Sequence, residues 1–144
     1  MPRLAREIGK VVAVQFDELR RFVDVVVPVP LHVTRYAERG YNQSELLGKS
    51  IAKAFDKELA PKVIKRVKPT PSQTGLSIAE REENVRNAFE LTRRGAEIIQ
   101  GKRVLVVDDV ITTGATMASI GSELAQAKPK EIGFFTLAAA QLGA

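Results

Sequence analysis

The chain of 144 residues contains no cysteine, no tryptophan and a single histidine, His32. A structural zinc site takes four Cys or His ligands, and an amidohydrolase of the cysteine type needs a thiolate nucleophile, so both chemistries and all disulfide bonds are excluded for this chain. No apolar run approaches the roughly 18 residues of a membrane span, and no apolar signal segment follows the first residues, MPRLAREIGK. These absences favour the cytoplasm as the location.

The composition is that of a folded protein, with 44% hydrophobic and 27% charged residues. The length predicts one domain over residues 1–144. The formal net charge is +5, and the segment 62–103 alone holds ten Lys and Arg against five Glu, an excess equal to the whole net charge. A local basic field of this kind is usually a solvated surface, but it can also attract a polyanionic ligand or nucleic acid.

The first half of the chain carries two helix patterns around one strand pattern. Apolar residues at spacings of three and four predict an amphipathic helix over 4–22. The valine run of 24–30, stopped by prolines, predicts a strand buried on both faces of a parallel sheet. Asn42 and Glu45 have the offset of an N-cap and its partner, which predicts a helix that ends near Asp56.

The alternation of strands and helices continues to the end and predicts an α/β fold, a Rossmann-like parallel sheet flanked by helices with right-handed connections. The remaining predicted elements are a strand at 63–67, a loop at 68–75, a polar helix at 77–87, a strand at 103–107, a helix at 115–127 and a strand at 132–138. In such sheets the ligand crevice lies beyond the carboxyl ends of the strands. Two segments fall there, 104–116 and 30–42.

Residues 104–116 read VLVVDDVITTGAT, a strand that enters a Gly-containing turn and then a helix. This arrangement directs backbone N–H groups and the positive end of the helix dipole at one point, which suits a phosphate. The hydroxyls of Thr112, Thr113 and Thr116 can add hydrogen bonds, and Gly114 permits a close approach or a positive φ. The stretch has no Lys, so it is not the GxxxxGK[ST] loop of nucleotide triphosphatases, and it contains no GxGxxG motif.

Asp108 and Asp109 stand where the predicted strand ends. Both cannot be buried without partners, because an unpaired carboxylate in a dry site is very costly. Facing the crevice, they could accept hydrogen bonds from the vicinal hydroxyls of a ribose whose 5-phosphate sits in the turn, and could favour a nearby Mg²⁺. The alternative is a solvated Asp-Asp corner with threonine caps.

The stretch VLVVDDVITTGAT resembles the phosphoribosyl pyrophosphate (PRPP) signature of the type I phosphoribosyltransferases. The resemblance implies their fold, with a flexible lid loop and here a minimal hood. It also implies that Asp108 and Asp109 hold the ribose hydroxyls, with Asp108 the candidate contact to Mg²⁺, directly or through water or ligand. The residues implied for the 5-phosphate are Thr112, Thr113, Gly114, Ala115 and Thr116.

Two further stretches, VVPVPLHVTRYAERGYNQSELL (26–47) and RVKPTPSQTGLSIAEREENVRNAF (66–89), are similar to the ComF family of competence-associated, amidophosphoribosyltransferase-like proteins. Typical ComF proteins begin with a cysteine-rich zinc ribbon. Because this chain has no cysteine, we expect only the transferase-like domain to be present.

A PRPP molecule with its 5-phosphate near Thr113 would extend its pyrophosphate to the turn after the first strand. Backbone N–H groups, two arginines and a lone histidine there could neutralise the leaving group. The resemblance implies that Leu31, His32 and Arg35 bind pyrophosphate, with Arg39 nearby. Alternatively, His32 is a capped surface imidazole and Arg39 pairs with a neighbouring glutamate.

The polar loop 68–77 has the character of an active-site lid. Substitution at C1 of the ribose passes through an oxocarbenium-like state that water would capture, so exclusion of solvent has a chemical purpose. Arg66, Gln73 and Arg81 match ComF-like positions and could reach the pyrophosphate on closure; with the two aspartates, Gln73 and Arg81 are the catalytic candidates. The alternative is a solvated loop with ordinary helix charges.

Two functional hypotheses result. The first is Mg²⁺-dependent transfer of ribosyl 5-phosphate from PRPP to a nitrogen nucleophile, with release of pyrophosphate. The second is a non-catalytic ComF-type factor for DNA uptake, whose 62–103 segment contacts single-stranded DNA and whose partners include competence proteins. Two tyrosines and no tryptophan argue modestly against base stacking. A homodimer is compatible with either hypothesis.

Overall fold

The computed structural model describes residues 20–30, 42–67, 77, 79–80, 88–108 and 114–136. Its elements are β1 (Val25–Pro28), α1 (Gln43–Phe55), β2 (Glu58–Leu59), β3 (Ile64–Arg66), β4 (Phe89–Leu91), α2 (Arg93–Ile99), β5 (Arg103–Asp108), α3 (Ala115–Ala125) and β6 (Glu131–Thr136). Four strands form a parallel sheet in the order β2-β1-β5-β6, while β3 and β4 form a separate antiparallel pair. The predicted α/β fold with a parallel sheet is confirmed.

The two central strands are buried on both faces, as the valine run predicts. Val25 and Val27 of β1 belong to one cluster of buried side chains, whereas Val26, between them, belongs to another. The same alternation continues in β5, where Val106 and Val107 pack on opposite faces. Side chains alternate along a strand, so a strand without polar positions needs a covering layer on each face.

Each face is covered by a different helix. Leu47, Ile51 and Phe55 of α1 pack on the face of Val26, while buried side chains of α3, including Ile120 and Leu124, pack on the other. The units β1-α1-β2 and β5-α3-β6 therefore leave the centre of the sheet in opposite directions. The point where the strand order reverses lies between β1 and β5, and this is where open α/β sheets bind ligands.

Asn42 begins α1, as predicted. Its side-chain Oδ1 accepts hydrogen bonds from the N–H groups of Ser44 at 2.9 Å and Glu45 at 3.3 Å. Its Nδ2 donates to the carbonyl oxygen of Val29 at 3.1 Å. The cap thus ties the start of α1 to the residue that follows β1. At the other end, Asp56 adopts the left-handed conformation that terminates many helices.

The structure differs from the sequence prediction in the middle of the chain. The strand predicted at 63–67 is β3, and it pairs antiparallel with β4 instead of joining the parallel sheet. The elements β2, β4 and α2 were not predicted, because two to seven residues are too few for a hydrophobic period to appear. The helix predicted over 115–127 ends at Ala125, and the strand predicted from 132 begins at Glu131.

Two predicted helices lie largely outside the described residues. Of the helix at 4–22, residues 20 and 21 are described and are helical. Of the helix at 77–87, Ser77 accepts a hydrogen bond from the N–H of Glu80 at 3.1 Å, which is the predicted cap spacing. Within the described ranges, no helix has the length and apolar character that a bilayer crossing would need.

Candidate functional site

The carboxyl ends of β1 and β5 meet at one edge of the sheet. Pro28 lies opposite Val107 in the parallel register, and the N–H of Val29 donates to the carbonyl oxygen of Val107 at 2.9 Å. The next residue of β5 is its last, Asp108. Asp108 therefore stands at the reversal of strand order, beside the segment that leaves β1.

The Asp108 side chain is buried, with 8% of the residue exposed. Its Oδ1 accepts a hydrogen bond from the Ser44 hydroxyl at 3.0 Å, and Ser44 is itself buried. A carboxylate is buried at tolerable cost only where polar groups bond to it, and Ser44 supplies one such group. The solvated corner weighed for this position does not describe Asp108.

Ser44 was not predicted as a site residue, although its place in the helical pattern of the sequence gives a signal. It lies three residues before Leu47 and seven before Ile51, so it occupies the same helical face as these two buried side chains. A hydroxyl on the buried face of an amphipathic helix needs a partner inside the protein. The sequence could show that Ser44 needs a partner, but the identity of that partner, 64 residues away, depends on the fold.

The start of α3 lies at the same edge of the sheet. Because α3 connects β5 to the parallel strand β6, its first turn must lie near the carboxyl end of β5. Gly114 is the N-cap, with φ 80° and ψ −5°, and glycine has no side chain that could cap the first-turn N–H groups. Among the described residues, a Cβ at Gly114 would meet nothing within 4 Å, so the positive φ is the reason that glycine is favoured there.

Three of the residues predicted to bind the 5-phosphate are described, and they share this helix start. Gly114 precedes the helix, Ala115 is its first residue, and Thr116 is half-buried in the first turn. The first-turn N–H groups and the helix dipole provide the electrostatic environment that an anion requires. Asp108 and the start of α3 thus combine a carboxylate with a helix end of the kind that suits an anion.

Arg66 occupies a different part of the fold. It lies on β3 opposite Phe89, and its guanidinium carbon is 4.8 Å from the centroid of the Phe89 ring. This geometry is that of a cation–π contact. Its predicted binding of pyrophosphate stays a prediction. The other predicted site residues lie outside the described residues, and their roles likewise stay predictions: Leu31, His32, Arg35, Arg39, Gln73, Arg81, Asp109, Thr112 and Thr113.

Thr136 is a second polar group at this edge that sequence reasoning missed. It ends β6 and lies opposite Asp108 in the register. Its hydroxyl oxygen is buried and has no hydrogen-bond partner among the residues that the structure describes. Such a hydroxyl is costly unless something bonds to it. Its position follows from the strand pairing, which the sequence alone does not reveal.

The donor groups near Asp108 fit a magnesium ion only if a bound ligand supplies further oxygen atoms. Among the described residues, no three His, Asp or Glu side chains come together as a metal site. Asp108 supplies a carboxylate, which Mg²⁺ prefers, and Mg²⁺ commonly completes its octahedron with water and substrate phosphates. The described donors therefore fit Mg²⁺ carried by a phosphorylated ligand and do not by themselves form an all-protein cage.

Comparison with known proteins agrees with this geometry. Residues 42–143 match the phosphoribosyl transferase domain family. The match covers more than half of the chain and includes β5, α3 and the residues between them. The chain belongs to the phosphoribosyl transferase domain family.

Two curated relatives define the branch of the family more narrowly. Competence protein F of Haemophilus influenzae is 40% identical over 117 residues, covering 81% of this chain and 51% of the relative. DNA utilization protein YhgH of Escherichia coli is 37% identical over 101 residues, covering 70% of this chain and 43% of the relative. The predicted ComF resemblance is confirmed. The chain spans about half the length of the curated relatives that it matches.

A solved structure confirms the fold. The glutamine phosphoribosylpyrophosphate amidotransferase of Bacillus subtilis superimposes with a TM-score of 0.59 over 92% of this chain and 25% of that chain. The identity is 22%, so this likeness shows the fold alone. The predicted type I phosphoribosyltransferase-like architecture is thus correct.

Proposed function

We propose that the protein binds PRPP together with Mg²⁺ and transfers ribosyl 5-phosphate to a nitrogen nucleophile, with release of pyrophosphate. One observation carries the proposal. The buried Asp108 carboxylate ends β5 at the reversal of strand order, and Gly114, the N-cap of α3, follows six residues later at the same edge. This pairing offers a hydrogen-bond acceptor for a diol and a donor set for a phosphate within one short stretch.

Each group has a distinct task in the proposed reaction. The N–H groups at the start of α3, with Thr116, hold the 5-phosphate. Asp108, oriented by the Ser44 hydroxyl, accepts hydrogen bonds from the ribose hydroxyls. Fixing the sugar at both ends places C1 at the crevice and lowers the entropic part of the barrier. Asp109, by its position in the motif, shares the ribose contact.

Departure of pyrophosphate breaks the bond between C1 and the pyrophosphate oxygen. The nitrogen nucleophile forms the new bond at C1 and releases one proton to solvent. Mg²⁺, when bound with PRPP, offsets the negative charge that develops on the leaving group. Leu31, His32, Arg35 and Arg39 are the proposed protein contacts of the pyrophosphate. Arg66, Gln73 and Arg81 would complete the enclosure when the 68–77 loop excludes water.

Calorimetric titration of PRPP, with and without Mg²⁺, tests this function on the parent and on Asp109→Asn. We expect Mg²⁺-dependent binding by the parent and an affinity at least about tenfold lower for Asp109→Asn, because a charge-assisted bond to the diol is lost. Asp56→Asn is the matched control, since Asp56 lies at the far end of α1 and Asn tolerates its left-handed conformation. A parent that does not bind PRPP would contradict the proposal.

Turnover is measured separately, as release of pyrophosphate from PRPP when ammonia is supplied. Ammonia suits the test because the chain lacks the thiol that would release it from glutamine. Release that rises with ammonia concentration supports transfer to nitrogen. Tight binding of PRPP without release would instead assign the site a sensing or scaffolding role.

A second candidate function is a non-catalytic factor in competence that binds single-stranded DNA. Two relatives favour it, because one is named for competence and the other for DNA utilization. A chain of this function would bind an oligonucleotide without any requirement for PRPP, and its affinity would fall steeply with salt concentration. Gel shifts at several salt concentrations therefore distinguish the two functions.

A further inference from the structure

The amino ends of three adjacent strands lie at the edge of the sheet opposite to Asp108. Backbone hydrogen bonds join the residues at and just before the starts of these strands. The N–H of Asp24 donates to the carbonyl oxygen of Arg103 at 2.9 Å, and the N–H of Lys130 donates to that of Lys102 at 2.8 Å. The starts of β1, β5 and β6 consequently form one continuous surface, about 10 Å across at the usual strand spacing.

This surface is strongly basic. The segments that lead into these three strands carry six cations, which we term the amino-edge patch: Arg20, Arg21, Lys102, Arg103, Lys128 and Lys130. The acids at the same strand starts are Asp24 and Glu131, and the Asp24 carboxylate already accepts a hydrogen bond from the N–H of Arg103 at 2.9 Å. Residues 56–58, at the start of β2, carry two acids and one lysine and bound the patch on one side.

An exposed aromatic ring lies within the amino-edge patch. Phe22 is 57% exposed, although a large apolar side chain is ordinarily buried. The guanidinium carbon of Arg103 is 5.7 Å from the centroid of its ring. A ring with an arginine beside it is a stacking platform of the kind on which proteins bind unpaired bases.

Lys128 has a backbone conformation that lysine rarely adopts. Its φ is 56°, in the left-handed region, and its carbonyl oxygen accepts a hydrogen bond from Gly101 at 3.1 Å. Glycine or asparagine would adopt this conformation at lower cost. Lys128, Lys102 and Lys130 are all exposed, and none forms an ion pair with a carboxylate in the described part of the chain. Three exposed charges are thus directed to solvent at one edge.

We propose that the amino-edge patch binds a single strand of nucleic acid, with phosphates on the cations and a base stacked on Phe22. A duplex is a poorer match, because its bases are paired inside and leave the exposed ring without a partner. This surface is separate from the Asp108 edge, so the proposal does not depend on PRPP binding. It locates the DNA-binding alternative at a defined surface, part of which lies outside the basic 62–103 segment.

The test combines Lys102→Gln, Lys128→Asn and Lys130→Gln in one variant, with Asn chosen at 128 because it tolerates the left-handed backbone. The control combines Lys49→Gln, Lys62→Gln and Lys65→Gln, which removes the same charge from exposed lysines elsewhere. Fluorescence anisotropy follows a labelled oligodeoxythymidine of about 16 nucleotides at several salt concentrations. We expect the patch variant to bind at least about tenfold more weakly, with a log-log salt slope shallower by about 2. Equal loss in the control would overturn the proposal.

Phe22→Ala tests the stacking contact. The substitution should lower the affinity for the oligonucleotide at least about fivefold. The affinity for inorganic polyphosphate should stay unchanged, since polyphosphate has no base. An unchanged affinity for the oligonucleotide, or equal binding of single strand and duplex by the parent, would overturn the assignment. The patch variant should bind PRPP as the parent does. A parent that binds the oligonucleotide but not PRPP would refute only the transferase proposal.

Discussion

At the scale of single residues, the hydrogen bond from Ser44 to Asp108 links two segments that are distant in sequence. Ser44 is in the first turn of α1, directly after the stretch predicted to bind pyrophosphate, and Asp108 ends β5. A buried carboxylate with a fixed partner is preorganised, so its orientation need not be established when the ligand binds. We infer that Ser44 is a positioning residue for the ribose contact.

Ser44→Ala should lower both stability and PRPP affinity. The substitution removes one bond from a buried carboxylate, for which a loss of about 1–3 kcal/mol in the free energy of unfolding is expected. The affinity for PRPP should fall severalfold, because the carboxylate is no longer held in one orientation. Urea denaturation and calorimetric titration measure the two effects.

Ser50→Ala is the matched control. Ser50 lies on the same helix, and its hydroxyl donates to the carbonyl oxygen of Leu46 at 3.2 Å. This bond is local to the helix and contributes little to stability. It should lower the free energy of unfolding by less than about 0.5 kcal/mol and leave PRPP affinity intact. Equal effects of the two substitutions would show that Ser44 has no special relation to Asp108.

At the scale of elements, the sequence did not predict β4, α2 or the antiparallel pairing of β3 with β4. Thr92 caps α2 by accepting from the N–H of Gly95 at 2.9 Å, and its hydroxyl also reaches the carbonyl oxygen of Lys62 at 2.8 Å. The short helix is therefore held by the chain before β3 and not by its own propensity. Long elements such as α1 and β5 were predicted because their apolar periods are complete; α2 has seven residues and no complete period.

Gly95→Ala should destabilise the protein despite favouring a helix. In a solvated helix the change would stabilise by about 1 kcal/mol. Here the added Cβ would overlap the carbonyl oxygen of Val63 and lie 2.6 Å from its Cα, and backbone atoms cannot move aside. We expect a net loss of about 2 kcal/mol or more in the free energy of unfolding.

Gly133→Ala on β6 is the control for this change, measured by the same denaturant titration. A Cβ at Gly133 would lie 3.7 Å from the Leu105 side chain, an ordinary contact. The control should therefore be neutral or slightly stabilising, through the lower entropy of the unfolded chain. If Gly95→Ala were as stable as the control, the described packing of α2 closely against the backbone of Val63 would be contradicted.

At the scale of the whole molecule, the two edges of the parallel sheet differ in character. The carboxyl edge carries a buried acid and a helix start with glycine as its N-cap, and the amino edge carries six cations near an exposed ring. The sequence predicted the first edge because its residues are consecutive in one motif. It could not predict the second, because residues 20–22, 102–103 and 128–130 come together only through the strand order β1-β5-β6.

A crystal structure with ribose 5-phosphate bound would show whether the end of β5 and the start of α3 hold the two ends of one sugar phosphate. We expect the phosphate to lie within hydrogen-bond distance of the first N–H groups of α3, and the ribose hydroxyls to lie on the Asp108 carboxylate. A sugar phosphate bound elsewhere, or one whose hydroxyls point away from Asp108 while the carboxylate keeps its bond to Ser44, would contradict this expectation.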